Sequence, residues 1–260
     1  MVLESLLPRN ISNDAFHELL DQYSPLIESV SSSKAPKAGQ KTLLELDEFR
    51  YREALKLFGS ESPEQAMNHD HVKELVDWKL RHGKFRPTLM KLVSSNDGDM
   101  VKETMEKALN AYWKSPDAFV ALGEISKLKG IGPATASLLL SVHDPDRVIF
   151  FSDEAFWWLC CDGEKAPIKY NSKEYQELNQ SAQELVSRLS VSATDVEKVA
   201  YVVMKDGGLP AVGGENQGKP STATPAVQSS KKGGAKRKEE PATTNSPDPP
   251  VRRSKRGKTS

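Results

Sequence analysis

Between Thr42 and Asp206 the apolar positions recur every three or four residues, the period of helices that turn one face to a core. Thr42 followed by Glu45 has the form of a capping box, and Gly59 after Phe58 is a helix stop. Ser62-Pro63 with Gln65 predicts the start of a helix that carries Trp78 and Leu80 and closes at Gly83. Pro87 opens a short helix with Leu89, Met90, Leu92 and Val93. Residues 99–114 then place Met105, Ala108, Leu109 and Tyr112 on one face. Ser115-Pro116 caps the next helix, from Asp117 to about Lys127, and another begins at Pro133. Ser172 starts a helix bearing Tyr175, Leu178, Ala182, Leu185 and Leu189. Ser192 with Asp195 starts the last, through Val199, Val202 and Val203. Only Arg147–Phe151 reads as extended, so the pattern predicts an all-α domain of roughly nine or ten helices.

Three regions follow from the same pattern: an N-terminal helix and linker over 1–41, a helical domain over 42–206, and a tail over 207–260. The linker is the Ser-, Lys- and Pro-containing stretch from Ser31. The tail holds Gly, Pro, Ser, Thr and Lys and almost no large apolar residue, a composition that predicts disorder. Within it, Lys231-Lys232 and Lys236-Arg237-Lys238 are separated by a Pro-rich spacer from Arg252-Arg253-Ser254-Lys255-Arg256. This layout is that of a nuclear-import signal, or of a solvated tail with weak nucleic-acid affinity. Overall net charge is zero but unevenly spread: from Pro210 onward eleven Lys/Arg stand against four Asp/Glu. That leaves 25 against 32, a net −7, for residues 1–209. If so acidic a body touches DNA, it does so through a local basic patch.

Composition narrows the classes further. No apolar run approaches the roughly 20 residues of a membrane span, and the N-terminus lacks the layout of a signal peptide. The two cysteines, Cys160 and Cys161, are adjacent, which suits neither an ordinary disulfide nor a four-cysteine iron–sulfur cluster. His69-Asp70-His71 could suggest metal ligands, but successive residues on a helix point apart and no distant Cys/His partner is evident; a helix start is the better reading. The expectation is a chain without metal or cofactor.

The candidate chemistry lies at Leu128-Lys129-Gly130-Ile131-Gly132-Pro133-Ala134-Thr135-Ala136. Gly130 and Gly132 permit positive φ and close approach of a ligand, and Ile131 pins the turn to the core. Pro133 suits the first helical position, and Thr135 and Ala136 keep the second helix slim. Amides at the turn and helix start, including that of Ala134, converge on one spot fit for a phosphate oxygen, with Lys127 and Lys129 beside it. The alternative is an ordinary helical hairpin with a Gly-rich turn. The run Lys79–Arg86 gathers further basic residues at a helix end, as dipole partners or as a second contact to a DNA backbone.

Downstream, Val148-Ile149-Phe150-Phe151-Ser152-Asp153-Glu154 is a short extended run ending in an acid at a helix start. Here the chain resembles the helix-hairpin-helix DNA glycosylase superfamily, which includes endonuclease III and the 3-methyladenine glycosylases. The likeness is strong over 116–160, weaker across 97–205 and absent before about 95. In that family an essential aspartate opens the helix about twenty residues after the hairpin. Gly132 to Asp153 is 21 positions. The resemblance therefore implies a multi-helix glycosylase fold, a double-stranded DNA partner and a monomer, and the basic clusters of the tail place the expected location in the nucleus. The resemblance also implies hydrolysis of a base–deoxyribose bond with Asp153 as the catalytic acid residue. Aromatic residues that could line a base pocket are Trp157, Trp158, Tyr112 and Trp113, although their helical spacing favours core packing for each. Asp153, next to Ser152 at a helix start, could equally be a cap. Two departures limit the likeness. The lysine that bifunctional members carry two positions after the second glycine is Ala134 here, and the cluster cysteines are missing, so a monofunctional enzyme is implied. The alternative is a non-catalytic DNA- or chromatin-binding module on the same fold.

Overall fold

The computed structural model describes residues 2–33, 36–61, 63 and 65–206. The expected tail and its basic clusters, together with Ser62 and Glu64, lie outside the described residues. These are all-helical, with no β-strand among them. The helices are α1 (Asn13–Asp21), α2 (Tyr23–Ser33), α3 (Leu43–Glu48), α4 (Ala54–Phe58), α5 (His69–His82) and α6 (Leu89–Ser94). They continue as α7 (Gly98–Lys114), α8 (Ala118–Ile125), α9 (Pro133–Ser141), α10 (Asp153–Cys160), α11 (Ser172–Leu189) and α12 (Ala193–Asp206).

Several ends follow their local chemistry. The Thr42–Glu45 capping box forms at α3, Gly59 follows α4 and Gly83 follows α5. Two starts differ from expectation. Helix α5 begins at His69, not near Ser62-Pro63: Asn68 accepts from the Asp70 and His71 amides, and the His71 ring accepts from the Asn68 amide in return. Helix α8 is capped by Asp117, which accepts from Phe119, while Ser115 ends α7. Helices α1 and α2 are not an appendage. Phe16, Leu19, Tyr23 and Ile27 are buried, and α1 and α2 both pack against α12 within one compact unit.

Helix α9 organises the interior. It is apolar all round, as a fully surrounded helix must be, and Ala134 through Ser141 are all buried. Only its N-terminal end, at Gly132 and Pro133, reaches the surface. Its two serines serve the inside. Ser137 Oγ accepts the Phe151 amide at 2.9 Å, which anchors the extended 148–152 segment without a partner strand. Ser141 Oγ accepts from Arg50 at 2.7 Å.

Arg50 lies in a π turn, Phe49–Glu53, that joins α3 to α4. The wider turn brings three successive side chains, Phe49, Arg50 and Tyr51, inside together. Arg50 meets Glu197 at 3.3 Å and lies 5.6 Å from the Trp78 ring centroid; Tyr51 donates to Glu197 at 2.6 Å. Beside them, Asp47 accepts from Tyr23 and from the Trp78 indole at 2.8 and 2.9 Å. This polar seam holds α5 at the centre of the unit, with its C-terminal end facing the N-terminus of α9.

Candidate functional site

The α8–α9 turn is fixed from both sides. Leu128 and Ile131 are buried and the Ile131 amide donates to Leu128 at 3.1 Å, so Ile131 does pin the bend. Asn96, just after α6, grips both backbone groups of Lys129: its Oδ1 accepts the amide at 2.8 Å and its Nδ2 donates to the carbonyl at 2.9 Å. Gly130 has φ +78°, and a Cβ there would lie 2.9 Å from Leu92 Cβ and 3.2 Å from the Val93 nitrogen. Its glycine is required by backbone conformation and by packing on α6. Of the two glycines, Gly132 does not use the positive φ that its residue type permits. Its φ of −105° and ψ of −178° are extended backbone open to any residue. A Cβ on it would meet nothing within 4 Å. The Thr135 and Ala136 amides donate to the Gly132 carbonyl, whereas those of Gly132 and Ala134 have no acceptor among the described residues.

This end of α9 opens onto a cleft of about 460 Å³. Its walls are Lys79, His82 and Gly83 at the end of α5, Lys84, Arg86 and Leu89 beyond it, the hairpin from Gly130 to Thr135, residues 150–154, and Ile168 with Tyr170. Asp153 lies on this wall, half-buried, as the first residue of α10. It is not the cap: Ser152 Oγ accepts the Ala155 amide at 3.0 Å and leaves the Asp153 carboxylate free to face the cleft. Tyr170 donates its hydroxyl to Asp153 Oδ1 at 2.5 Å, from a backbone with φ 55°. Arg86 lies 5.3 Å from the Tyr170 ring centroid. Burial pushes the Tyr170 hydroxyl above the usual phenol range, and its bond to Asp153 adds to that.

Lys79 crosses from α5 to the hairpin. Its Nζ donates to Thr135 Oγ1 at 2.8 Å and lies 5.4 Å from the Phe150 ring centroid. Burial, helped by the nearby Arg86 charge and opposed by Asp153, pulls its amine from the usual 10.5 down to about 7. One turn on, His82 stacks on Trp78 at 4.4 Å and approaches Tyr201 at 4.0 Å, and burial drives its pKa well below the ordinary histidine value.

The hairpin residues and Asp153 are thus brought together, with Gly130, Gly132, Ala134 and Thr135 all on the cleft wall. The two flanking lysines differ. Lys127 is paired with Glu124, which also holds Lys107, so it is not a free charge. Lys129 is exposed and makes no ion pair among the described residues. The four aromatic candidates are corrected: none lines this cleft. Trp158 is buried and donates to the Leu6 carbonyl, and Trp157 donates to the Ala166 carbonyl, so both serve packing. Tyr112 donates to buried Asp144, and Trp113 lies on a separate small cavity with Met67, Met105 and His143. Helical spacing sent these rings to the core, and Phe150, Phe151 and Tyr170 supply the cleft's aromatic surface instead.

Tyr170 is the residue that sequence reasoning left out of the site, and Lys79 and Arg86 entered only as a second, separate backbone contact, not as walls of the same cleft. The basic run around Lys79–Arg86 was the available signal: Lys79, Lys84 and Arg86 converge on the cleft, while Arg81 pairs with Asp77. Phe85, between two of them, is 69% exposed. Tyr170 carried no signal, since its contact with Asp153 is made only by the tertiary fold. No helix is long and apolar enough to cross a membrane, and no group of metal-ligating side chains occurs among the described residues. No known family, curated protein or solved structure matches the chain.

Proposed function

We propose that this protein binds double-stranded DNA as a monomer through the α8–α9 hairpin. In this reading it hydrolyses the base–deoxyribose bond of a nucleotide turned out into the cleft, as a monofunctional glycosylase of the helix-hairpin-helix type. The observation that carries the reading is the position of Asp153: a carboxylate released from capping duty by Ser152, on the wall of a cleft that also contains the open N-terminus of α9. The unpaired amides at Gly132 and Ala134 suit a phosphate oxygen, and Lys129, Lys84 and Arg86 supply local positive charge on an otherwise acidic body. A volume of about 460 Å³ is in the range that holds a small-molecule-sized group such as a flipped nucleoside. The Asp153 carboxylate would stabilise the oxocarbenium character that grows on the sugar as the bond breaks, and would orient water. With alanine at position 134, no imine forms there. The basic clusters of the tail fit delivery to the nucleus.

A non-catalytic DNA- or chromatin-binding module is the second reading. It is favoured by the net −7 of residues 1–209 and by the Tyr170 hydroxyl that already occupies one Asp153 oxygen. A panel of lesion-bearing duplexes separates the two. Base release by wild type but not by Asp153→Asn supports the enzyme. Salt-sensitive binding without release from any lesion supports the module, and absence of binding to every duplex overturns both.

A further inference from the structure

The small cavity beside α7 takes no part in the cleft, yet it contains a buried polar group that the fold leaves unused. Its volume is about 140 Å³. Met67, Met105 and His143 are its buried members, with Leu109 and Trp113 half-buried beside them. His143 follows α9 at the end away from the hairpin. Its Nδ1 lies 3.1 Å from the Phe58 carbonyl oxygen, which can only accept, so the proton is on Nδ1 and Nε2 presents a lone pair. That Nε2 is buried and has no hydrogen-bond partner among the described residues. Burial pulls the ring's pKa from 6.5 down to about 4, so Nε2 stays an acceptor at neutral pH. A buried acceptor without a donor is costly, and a ligand that brings a donor relieves that cost.

The rest of the lining narrows the ligand. An apolar cavity of roughly 150 Å³ holds one benzene ring, and thioethers beside an indole suit an aromatic face or edge. Glu61 and Glu106 stand at the exposed edge. Glu61 makes no ion pair among the described residues, and Glu106 has only a 3.9 Å contact with Lys102. Arg147, 5.7 Å from the Trp113 ring centroid, is already paired with Asp144. The opening therefore favours a cation. We propose that this cavity is a binding site for a small phenolic amine. Its ring lies against Met67, Met105 and Trp113, its hydroxyl donates to His143 Nε2, and its ammonium group stays at the edge with Glu61 and Glu106. This site does not depend on the DNA-binding reading.

The test titrates the full chain at neutral pH by calorimetry, with tyramine as the probe. Binding is expected to saturate with a Kd below about 1 mM. Phenethylamine, which lacks the hydroxyl, is expected to bind at least about tenfold more weakly, because it leaves Nε2 without a donor. 4-Hydroxyphenylacetate keeps the hydroxyl and reverses the charge of the tail. It is expected to bind at least about threefold more weakly than tyramine at low salt, a gap that closes at high salt. His143→Asn keeps an N–H for the Phe58 carbonyl but removes the second ring nitrogen, and is expected to lose the preference for tyramine over phenethylamine. A readout that needs no variant is NMR of isotope-labelled histidine: the His143 Nε2 resonance should move with tyramine and not with phenethylamine. No saturation by tyramine, equal affinity of wild type for tyramine and phenethylamine, or undiminished tyramine binding by His143→Asn overturns the inference. So does an Nε2 resonance that is already hydrogen-bonded in the free protein and unmoved by tyramine, since water alone then satisfies the imidazole. Equal binding of tyramine and 4-hydroxyphenylacetate at low salt overturns the assignment of an amine.

Discussion

Replacing Gly130 by alanine probes how the hairpin is held. Two costs combine. The φ of +78° is in the left-handed region, which costs an L-residue about 1–2 kcal/mol. The new methyl would also lie 2.9 Å from Leu92 Cβ and 3.2 Å from the Val93 nitrogen. Neither is the far end of a flexible chain, so α6 must shift, at a cost of about 1–3 kcal/mol. The expected loss is about 2–5 kcal/mol, which in a unit of this size lowers Tm by roughly 4–20 °C. Urea and thermal unfolding measure it directly. Gly132→Ala is the control: its backbone is already extended, nothing lies within 4 Å of the added carbon, and stability should change by no more than about 0.5 kcal/mol. Should Gly130→Ala prove as stable as wild type, the packing of the turn onto α6 is wrong, and the position of the α9 N-terminus falls with it.

Further expectations concern the interior. Arg50→Met leaves Glu197 buried without its cation and should cost about 3–5 kcal/mol by urea unfolding; restored stability in the double variant with Glu197→Gln marks the pair as the cause. His143, buried against Phe58, has its pKa lowered from 6.5 to about 4 by burial. Between those values the unfolded chain takes up a proton that the folded chain refuses, so this residue's contribution is full above pH 6.5 and declines as pH falls toward 4. The decline is up to about 3 kcal/mol. The stability difference between wild type and His143→Asn should therefore narrow over that window, and a pH-independent difference contradicts it. Asn96→Ala frees both backbone groups of Lys129 and should lower stability by about 1–3 kcal/mol while loosening the hairpin, read as faster amide exchange at residues 129–132.

Much of the architecture was legible because its causes are local. The Thr42–Glu45 box, the stops at Gly59 and Gly83, and the apolar faces of α7, α11 and α12 each follow from neighbouring residues. The start of α5 was not, because its box uses the His71 ring where a glutamate or glutamine is the usual signal. The burial of α1 and α2 against α12 was hidden for a different reason. A helix's own pattern says that one face is covered, not by which distant segment. At the site, the hairpin was readable from its residue pattern, and Asp153 was pointed to by the resemblance that this pattern carries. The choice of Ser152 over Asp153 as cap is a local detail that residue type alone does not decide, while the reach of Lys79 to Thr135 and the contact of Tyr170 with Asp153 join residues 56 and 17 positions apart. For the aromatic rings at helical intervals the core-packing alternative holds, because an amphipathic period sends them inward, where Trp158 and Tyr112 lie.

Gly132→Asp tests the proposal that the open end of α9 holds a phosphate, with effects of opposite sign. A carboxylate at the cap of α9 accepts the free amides and complements the helix dipole, so Tm should be unchanged or higher. The same charge occupies and repels the anion site, so duplex affinity at low salt should fall at least tenfold, about 1.4 kcal/mol, with a smaller difference at high salt. A well-folded Gly132→Asp protein that binds duplex as tightly as wild type would contradict the account.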